Sequence, residues 1–255
     1  MAGKRNSGEH AARFLESPAK KGLVVFIHGI MGSPRHFDIL ADYIFQQGYS
    51  AASLLLPGHG CSAREFASGT AELWENHVVA EIEKLSREYS DILLVGHSMG
   101  GLLALNAAVR LSGHVQGVIV IASPFRLAIF SAKANISRLK FIFSSKSNPI
   151  KAASIAVLSI KASPSLLWHI FKPFFELKKL MRSTERMLPD VRTHVTAIYS
   201  RSDELVSLSS LDVLRSGLSG AAFEQIILSD ASHGYYPEKE RALIEQALLS
   251  RAAED

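Results

Sequence analysis

The chain has 255 residues, 47% hydrophobic and 20% charged, with a net charge of +4. That is an ordinary soluble globular composition, and the length suits one large core with room for an insertion. Cys61 is the only cysteine, which excludes an intrachain disulfide and a Cys-rich metal centre and suits a reducing, cytoplasmic compartment.

Residues 1–21 are polar, with a short strand expected near Ala12 to Leu15. No apolar stretch follows Lys4 and Arg5, so no secretory signal is expected. Leu23-Val24-Val25-Phe26-Ile27 is a continuous apolar run, the mark of a strand buried on both faces. A glycine-broken loop, His28 to Gly32, follows it. Ser33-Pro34 reads as a helix N-cap with proline at the first position, and a helix Arg35 to Gln47 is expected to stop at Gly48. Tyr49 to Leu56 reads as a second buried strand, Pro57-Gly58-His59-Gly60 as a turn, and Ala71 to Tyr89 as an amphipathic helix.

Ile92-Leu93-Leu94-Val95 then runs into Gly96-His97-Ser98-Met99-Gly100-Gly101, and a helix-forming run from Leu102 to Leu111 follows. The uncharged stretch from Ile92 to Val109 is long enough for a membrane span. Its glycine-rich centre argues instead for strand, sharp turn and helix. That arrangement around Gly-x-Ser-x-Gly is a nucleophile elbow, which lifts a serine hydroxyl clear of a sheet edge. Val115 to Ala122 reads as the next buried strand. Strand–helix alternation is lost over residues 125–186 and resumes with the strand Val195 to Tyr199. A helix Leu208 to Leu218, a strand Gln225 to Leu228 and a helix Glu238 to Ala252 complete the chain. The pattern predicts an α/β fold, a mostly parallel sheet with helices on both faces. The core is expected in residues 1–124 and 187–255, with residues 125–186 reading as an insertion of long, mainly helical amphipathic segments.

Sites in such sheets form at the carboxyl ends of strands. His28, Ser98, Ser123, Asp203 and His233 all follow strands and could meet on one edge. A serine nucleophile needs a base, and the base needs an orienting acid. Of ten histidines, His233 fits best, a few residues past a strand and before the last helix. His97 adjoins Ser98 and is expected to point elsewhere. His169 reads as a packing or surface residue, and His36 carries no pattern. Asp203 is the expected acid, in the chain order serine, acid, histidine, with Asp230 as the alternative. Glu204 beside it should point differently, and Asp190 lies at the wrong end of its strand. The backbone amides of Met99 and Ile30 are the expected oxyanion donors, with His28 and Gly29 as the supporting loop. No metal and no cofactor are expected.

These residues carry a resemblance. Phe26 to Ser33, Leu56-Pro57-Gly58-His59-Gly60, Val95 to Gly101, Ser202-Asp203-x-x-Val206 and Ser232-His233-Gly234 resemble, in order and spacing, the α/β-hydrolases of the small carboxylesterase and monoacylglycerol-lipase-like branch. Cys61 after Gly-His-Gly and a shortened N-terminal part of the sheet depart from that pattern. The resemblance implies an α/β-hydrolase fold in which residues 125–186 cap the site. It also implies hydrolysis of carboxylic esters, lipid-like or medium-chain and including monoacylglycerols, through an acyl-enzyme on Ser98. Acyl transfer to an alcohol, thiol or peroxide is the alternative with the same triad, and a non-catalytic lipid- or partner-binding module is the more distant one. From 126 to 186 there are twelve Lys and Arg against two acids, so a basic, apolar cap sits on an acidic core. Its aromatic and basic segments are compatible with peripheral contact to an anionic membrane. No nucleic-acid reading motif accompanies the basic charge. The sequence leaves the oligomeric state open.

Overall fold

The continuous apolar runs are divided by side-chain alternation between two cores. Leu23, Val25 and Ile27 of β2 (Leu23–Ile27) face one cluster, while Val24 and Phe26 face the other. β4 (Ile92–His97) and β5 (Gly117–Ile121) split in the same way, with Ile92, Leu94, Val118 and Val120 on one side and Leu93, Val95, Ile119 and Ile121 on the other. A strand buried on both faces needs apolar residues at every position, which is why these runs are unbroken. The computed structural model describes residues 10–128 and 164–254. Among them the sheet has seven strands in the order β1-β3-β2-β4-β5-β6-β7. The remaining strands are β1 (Arg13–Leu15), β3 (Ser50–Leu54), β6 (His194–Ser200) and β7 (Phe223–Leu228). All pairs are parallel except β1 with β3.

Helices α3 (Ala71–Leu85), α4 (Met99–Arg110), α5 (Pro164–Met187) and α6 (Ser209–Gly217) contribute to the larger core. The other face is covered by α1 (Asp38–Gln46) and α7 (Glu238–Ala252), through Leu40, Ile44, Ile244 and Leu248. The register aligns the strand ends: Ile27 pairs with Gly96, His97 with Ile121, Ile121 with Ile198, and Ser200 with Leu228. The loops that leave those ends therefore open on one edge. Chain order reverses at β2, whose neighbours are β3 on one side and β4 on the other. Loops on either side of such a reversal leave in opposite directions, the usual place for a site in sheets of this kind.

Several boundaries differ from expectation. The helix after Ser33 begins as a 3-10 turn, Pro34–Phe37, and Ser33 makes no side-chain cap. The helix from Ala71 ends at Leu85, not Tyr89, because the Ser86 N–H closes its last turn on Ile82. A short helix α2 (Ala63–Ala67) went unread, although Ser62 and Glu65 form a reciprocal capping box. The segment expected to cap the site lies partly outside the described residues, as do His169's side chain and most of the apolar and basic runs assigned to membrane contact. Its last part is α5, whose buried residues Pro173, Leu177, Leu180 and Thr184 recur at helical spacing. Glu176 of α5 accepts the N–H of Ala71 at 3.0 Å, satisfying the open N-terminus of α3. The two ends of the insertion are tied by Arg126, which donates to both carboxylate oxygens of Glu185 at 3.0 and 2.9 Å.

The tightest joint is where α4 leaves β4. A Cβ at Gly100 would overlap the carbonyl oxygen of Ile27 on β2, and one at Gly96 would overlap the backbone of Gly100 and Gly101. These contacts are backbone on backbone, so no side-chain rotation relieves them. Gly100→Ala should cost at least about 3 kcal/mol or abolish folding. Gly234→Ala, with no atom within 4 Å of the added carbon, should change stability by less than about 0.5 kcal/mol. Urea unfolding of the two variants checks both outcomes.

Candidate active site

Ser98 stands between β4 and α4 with φ 53° and ψ −122°, in a backbone region that non-glycine residues rarely enter. Such strain costs on the order of 1–3 kcal/mol and persists only where the surroundings enforce it. Two hydrogen bonds do so: the Ser98 N–H donates to Ile121 O at 2.8 Å, and the Gly101 N–H donates to Ser98 O at 3.0 Å. The loop after β2 passes directly over the serine, since a Cβ at Gly29 would lie 2.9 Å from Ser98 Cβ. The Gly32 N–H closes that loop on Gly29 O at 3.0 Å, and Met31 takes a φ of 57°. Ile30 therefore sits at the bend, packed against the larger core. Met99 is the first residue of α4, where a backbone N–H has no acceptor within the helix.

His28 is fully buried and braces the loop from below. Its Nε2 accepts the N–H of Leu56 at 3.2 Å, so its Nδ1 carries the proton and donates to Gly29 O at 2.9 Å. The His59 ring meets His28 edge-on at 4.8 Å and packs on Phe66 and Trp74. The Trp74 indole N–H donates to Pro57 O at 3.1 Å, fixing the Pro57 turn to α3.

On the other side, His233 Nδ1 lies 2.9 Å from Asp203 Oδ2, with both side chains largely buried. Asp203 Oδ1 accepts the N–H groups of Leu205 and Val206, each at 2.8 Å. With one oxygen held by backbone, the other is fixed for the ring. Asp230 is exposed and takes no part in this contact. Among the described residues no hydrogen bond joins Ser98 Oγ to the His233 ring, which is common for such pairs in substrate-free states. No three His, Cys, Asp or Glu side chains among the described residues cluster as metal ligands.

Four residues around His233 make contacts that the sequence did not assign to them. Glu240, buried at the start of α7, accepts the N–H groups of Ser229, Asp230 and Ala231. Glu204 Oε2 accepts the His233 N–H at 3.0 Å. His97 was expected to point away from the serine; it does, and its Nε2 donates to His233 O at 2.7 Å. The His36 ring stacks on His97 at 4.2 Å. Nothing local marks these residues. Only the three acids Asp203, Glu204 and Glu240 bracketing the His233 loop offered a hint.

Burial keeps His28, His36, His59 and His97 neutral. His28 and His97 are held well below the ordinary imidazole value by desolvation first and by neighbouring histidines second. His36 and His59 are lowered to about 4, mainly by desolvation. In the unfolded chain each would protonate near pH 6.5. Below that pH, unfolding takes up protons that the folded state refuses, so stability must fall as the solution is acidified from about 6.5 towards about 4. Each such group contributes up to about 1.4 kcal/mol per pH unit in that window. Urea unfolding free energies should drop between pH 7 and pH 5 by more than one proton's worth, and His36→Phe should make the slope shallower.

A family model described as "Serine aminopeptidase, S33" matches residues 18–240. A thermostable monoacylglycerol lipase from Bacillus sp. (strain H-257) is 23% identical over 82% of this chain and 82% of its own length. In structure, a chain of the metagenome-derived lipolytic enzymes LipS and LipT superposes with a TM-score of 0.72 at 24% identity, covering 96% of this chain and 98% of that one. A soluble variant of monoglyceride lipase from Saccharomyces cerevisiae, in complex with a substrate analog, gives a TM-score of 0.70 at 16% identity over 95% and 90% of the two chains. With the parallel sheet, the strained serine turn and the aligned strand ends, these matches lead to one conclusion: the chain belongs to the α/β-hydrolases, in the family described as serine aminopeptidase, S33.

Proposed function

We propose that the protein is a serine esterase that cleaves lipid-like or medium-chain acyl esters, monoacylglycerols among them, with Ser98 as nucleophile, His233 as base and Asp203 as orienting acid. The chain is an α/β-hydrolase of the lipase and esterase type. What supports the assignment of roles most is the 2.9 Å contact of His233 Nδ1 with Asp203 Oδ2, on the same sheet edge as the strained Ser98. That contact keeps the proton on Nδ1 and leaves Nε2 bare to receive the serine proton.

In the first step Ser98 Oγ bonds to the ester carbonyl carbon as its proton passes to His233 Nε2. Negative charge collects on the former carbonyl oxygen, and the N–H groups of Met99 and Ile30 are the proposed donors to it. Collapse of the tetrahedral adduct breaks the bond to the alcohol oxygen, which leaves with the proton from His233. Water then attacks the acyl-serine with His233 again as base, releasing the carboxylic acid and restoring the serine. The neighbouring imidazoles, with His28, His36, His59 and His97 all held neutral, suit this chemistry. They place no competing cation beside the one imidazole that must accept a proton. The substrate class follows the relatives named as monoacylglycerol lipases and the apolar character of the segment expected to cap the site.

Turnover of p-nitrophenyl butyrate, p-nitrophenyl octanoate and a monoacylglycerol tests the reading. Ser98→Ala should lower kcat by at least about 10³-fold, and Asp203→Asn by about as much. A fluorophosphonate probe should label the wild type and leave Ser98→Ala unmarked. Undiminished turnover in Ser98→Ala would sink the assignment.

A further inference from the structure

We propose that His97 and Glu204 are positioning residues which hold the backbone of His233 at a set distance from Ser98; the inference rests on the reading of His233 as the base. Asp203 fixes how the imidazole is rotated, but rotation alone does not fix where the ring stands. His233 sits on a loop, and a loop can shift as a body. Its ring reaches a proton on Ser98 only if the loop is stopped at the correct distance from the elbow.

Hydrogen bonds from outside the loop supply that stop. Glu240 takes the N–H groups of Ser229, Asp230 and Ala231, and the hydroxyls of Ser202 and Ser200 donate to Ser229 O at 2.6 Å and Ala231 O at 2.5 Å. These bonds anchor the start of the loop to α7 and to the end of β6. At His233 itself the partners change. Its N–H goes to Glu204 at 3.0 Å, and its C=O receives His97 Nε2 at 2.7 Å. Each partner is the chain neighbour of another member of the set, since Glu204 follows Asp203 and His97 precedes Ser98. The base is thus gripped from both sides by residues covalently joined to the acid and to the nucleophile. A displacement of the loop away from Ser98 must break the His97 bond.

The His97 ring is built for this use. A carbonyl can only accept, so Nε2 carries the proton, and the fully buried ring is neutral. Stacking on His36 at 4.2 Å and 30° limits its rotation, and it sits 4.8 Å from the His233 ring. The Glu204 bond is a carboxylate accepting a backbone N–H, the stronger, charge-assisted kind.

Paired variants separate positioning from mere structure, read as kcat and KM on p-nitrophenyl butyrate beside the thermal unfolding midpoint. His97→Phe keeps a flat ring against His36 and removes the donor. His97→Gln brings an amide N–H to about the same place. His97→Phe should lower kcat by up to about 10²-fold, the scale set by a misplacement of about 1 Å, with KM little changed. His97→Gln should recover most of that loss. Glu204→Ala should lower kcat about tenfold, and Glu204→Gln, which still accepts the N–H, should restore it. Should buried His97→Phe fail to fold, the half-exposed Glu204 pair decides the question. Retention of near wild-type kcat in Glu204→Ala and His97→Phe, while Ser98→Ala and His233→Ala are inactive, overturns the clamp and leaves the triad standing. Glutamine variants as impaired as the Ala and Phe variants, with melting midpoints falling in parallel, also overturn it. Activity persisting in Ser98→Ala overturns the triad, and the clamp with it.

Discussion

Everything on the functional edge depends on one steric constraint: α4 starts with no room for a side-chain atom between its backbone and the strands beneath it. Gly100 lies against the carbonyl of Ile27, and Gly96 against Gly100 and Gly101. The chain can turn from strand to helix in one residue only because these positions lack a Cβ. Ser98 at the apex takes up the strain, with a φ of 53°. The same closeness brings the loop after β2 over the serine, where Gly29 again leaves space for nothing larger. Backbone proximity of this kind sets Ser98 more firmly than side-chain packing can, because peptide units do not change rotamer.

The second constraint is electrostatic. Buried imidazoles in mutual contact flank the elbow. Desolvation, aided at His28, His36 and His97 by repulsion from neighbouring histidines, holds His28, His36, His59 and His97 neutral at physiological pH. A neutral imidazole offers one donor and one acceptor, and the structure uses this at two points. His28 accepts from Leu56 and donates to Gly29, while His97 donates to His233 O. The His97 ring bridges β4 to the loop after β7, a strand with which β4 shares no backbone ladder. The cost of these buried rings is acid sensitivity, since every one of them would take up a proton on unfolding.

The insertion joins the core beside the candidate acid. The chain leaves β5 through Phe125 and Arg126, whose N–H groups both reach Ser210 Oγ, and Leu127 pairs with Val206. Val206 also donates its N–H to Asp203. The outgoing limb of the insertion, the Asp203 loop and the start of α6 thus share one short ladder, closed on the outside by Arg126 and Glu185. The returning limb, α5, is seated on the core through Leu177 and Leu180 and on α3 through Glu176.

What the sequence determined by itself is whatever depends on near neighbours. The apolar runs of β2, β4 and β5 were legible because a strand buried on both faces has no polar position. The elbow was legible because its glycines, its serine and its flanking strand and helix are contiguous. The chain order of Ser98, Asp203 and His233 was legible because each follows a strand. The choice of Asp203 over Asp230 to meet the His233 ring is a matter of contact, and only the tertiary structure decides it: Asp203 has its other oxygen held by Leu205 and Val206, while Asp230 faces solvent. The roles of His97, Glu204 and Glu240 were likewise decided only there. His97 reaches a residue 136 positions away, and Glu204 one 29 away. Their partners are backbone groups of a loop, which every residue possesses and no residue type announces. Hydrogen bonds to the main chain leave no pattern in a sequence, so the groups that hold His233 appear only once the loop has its shape.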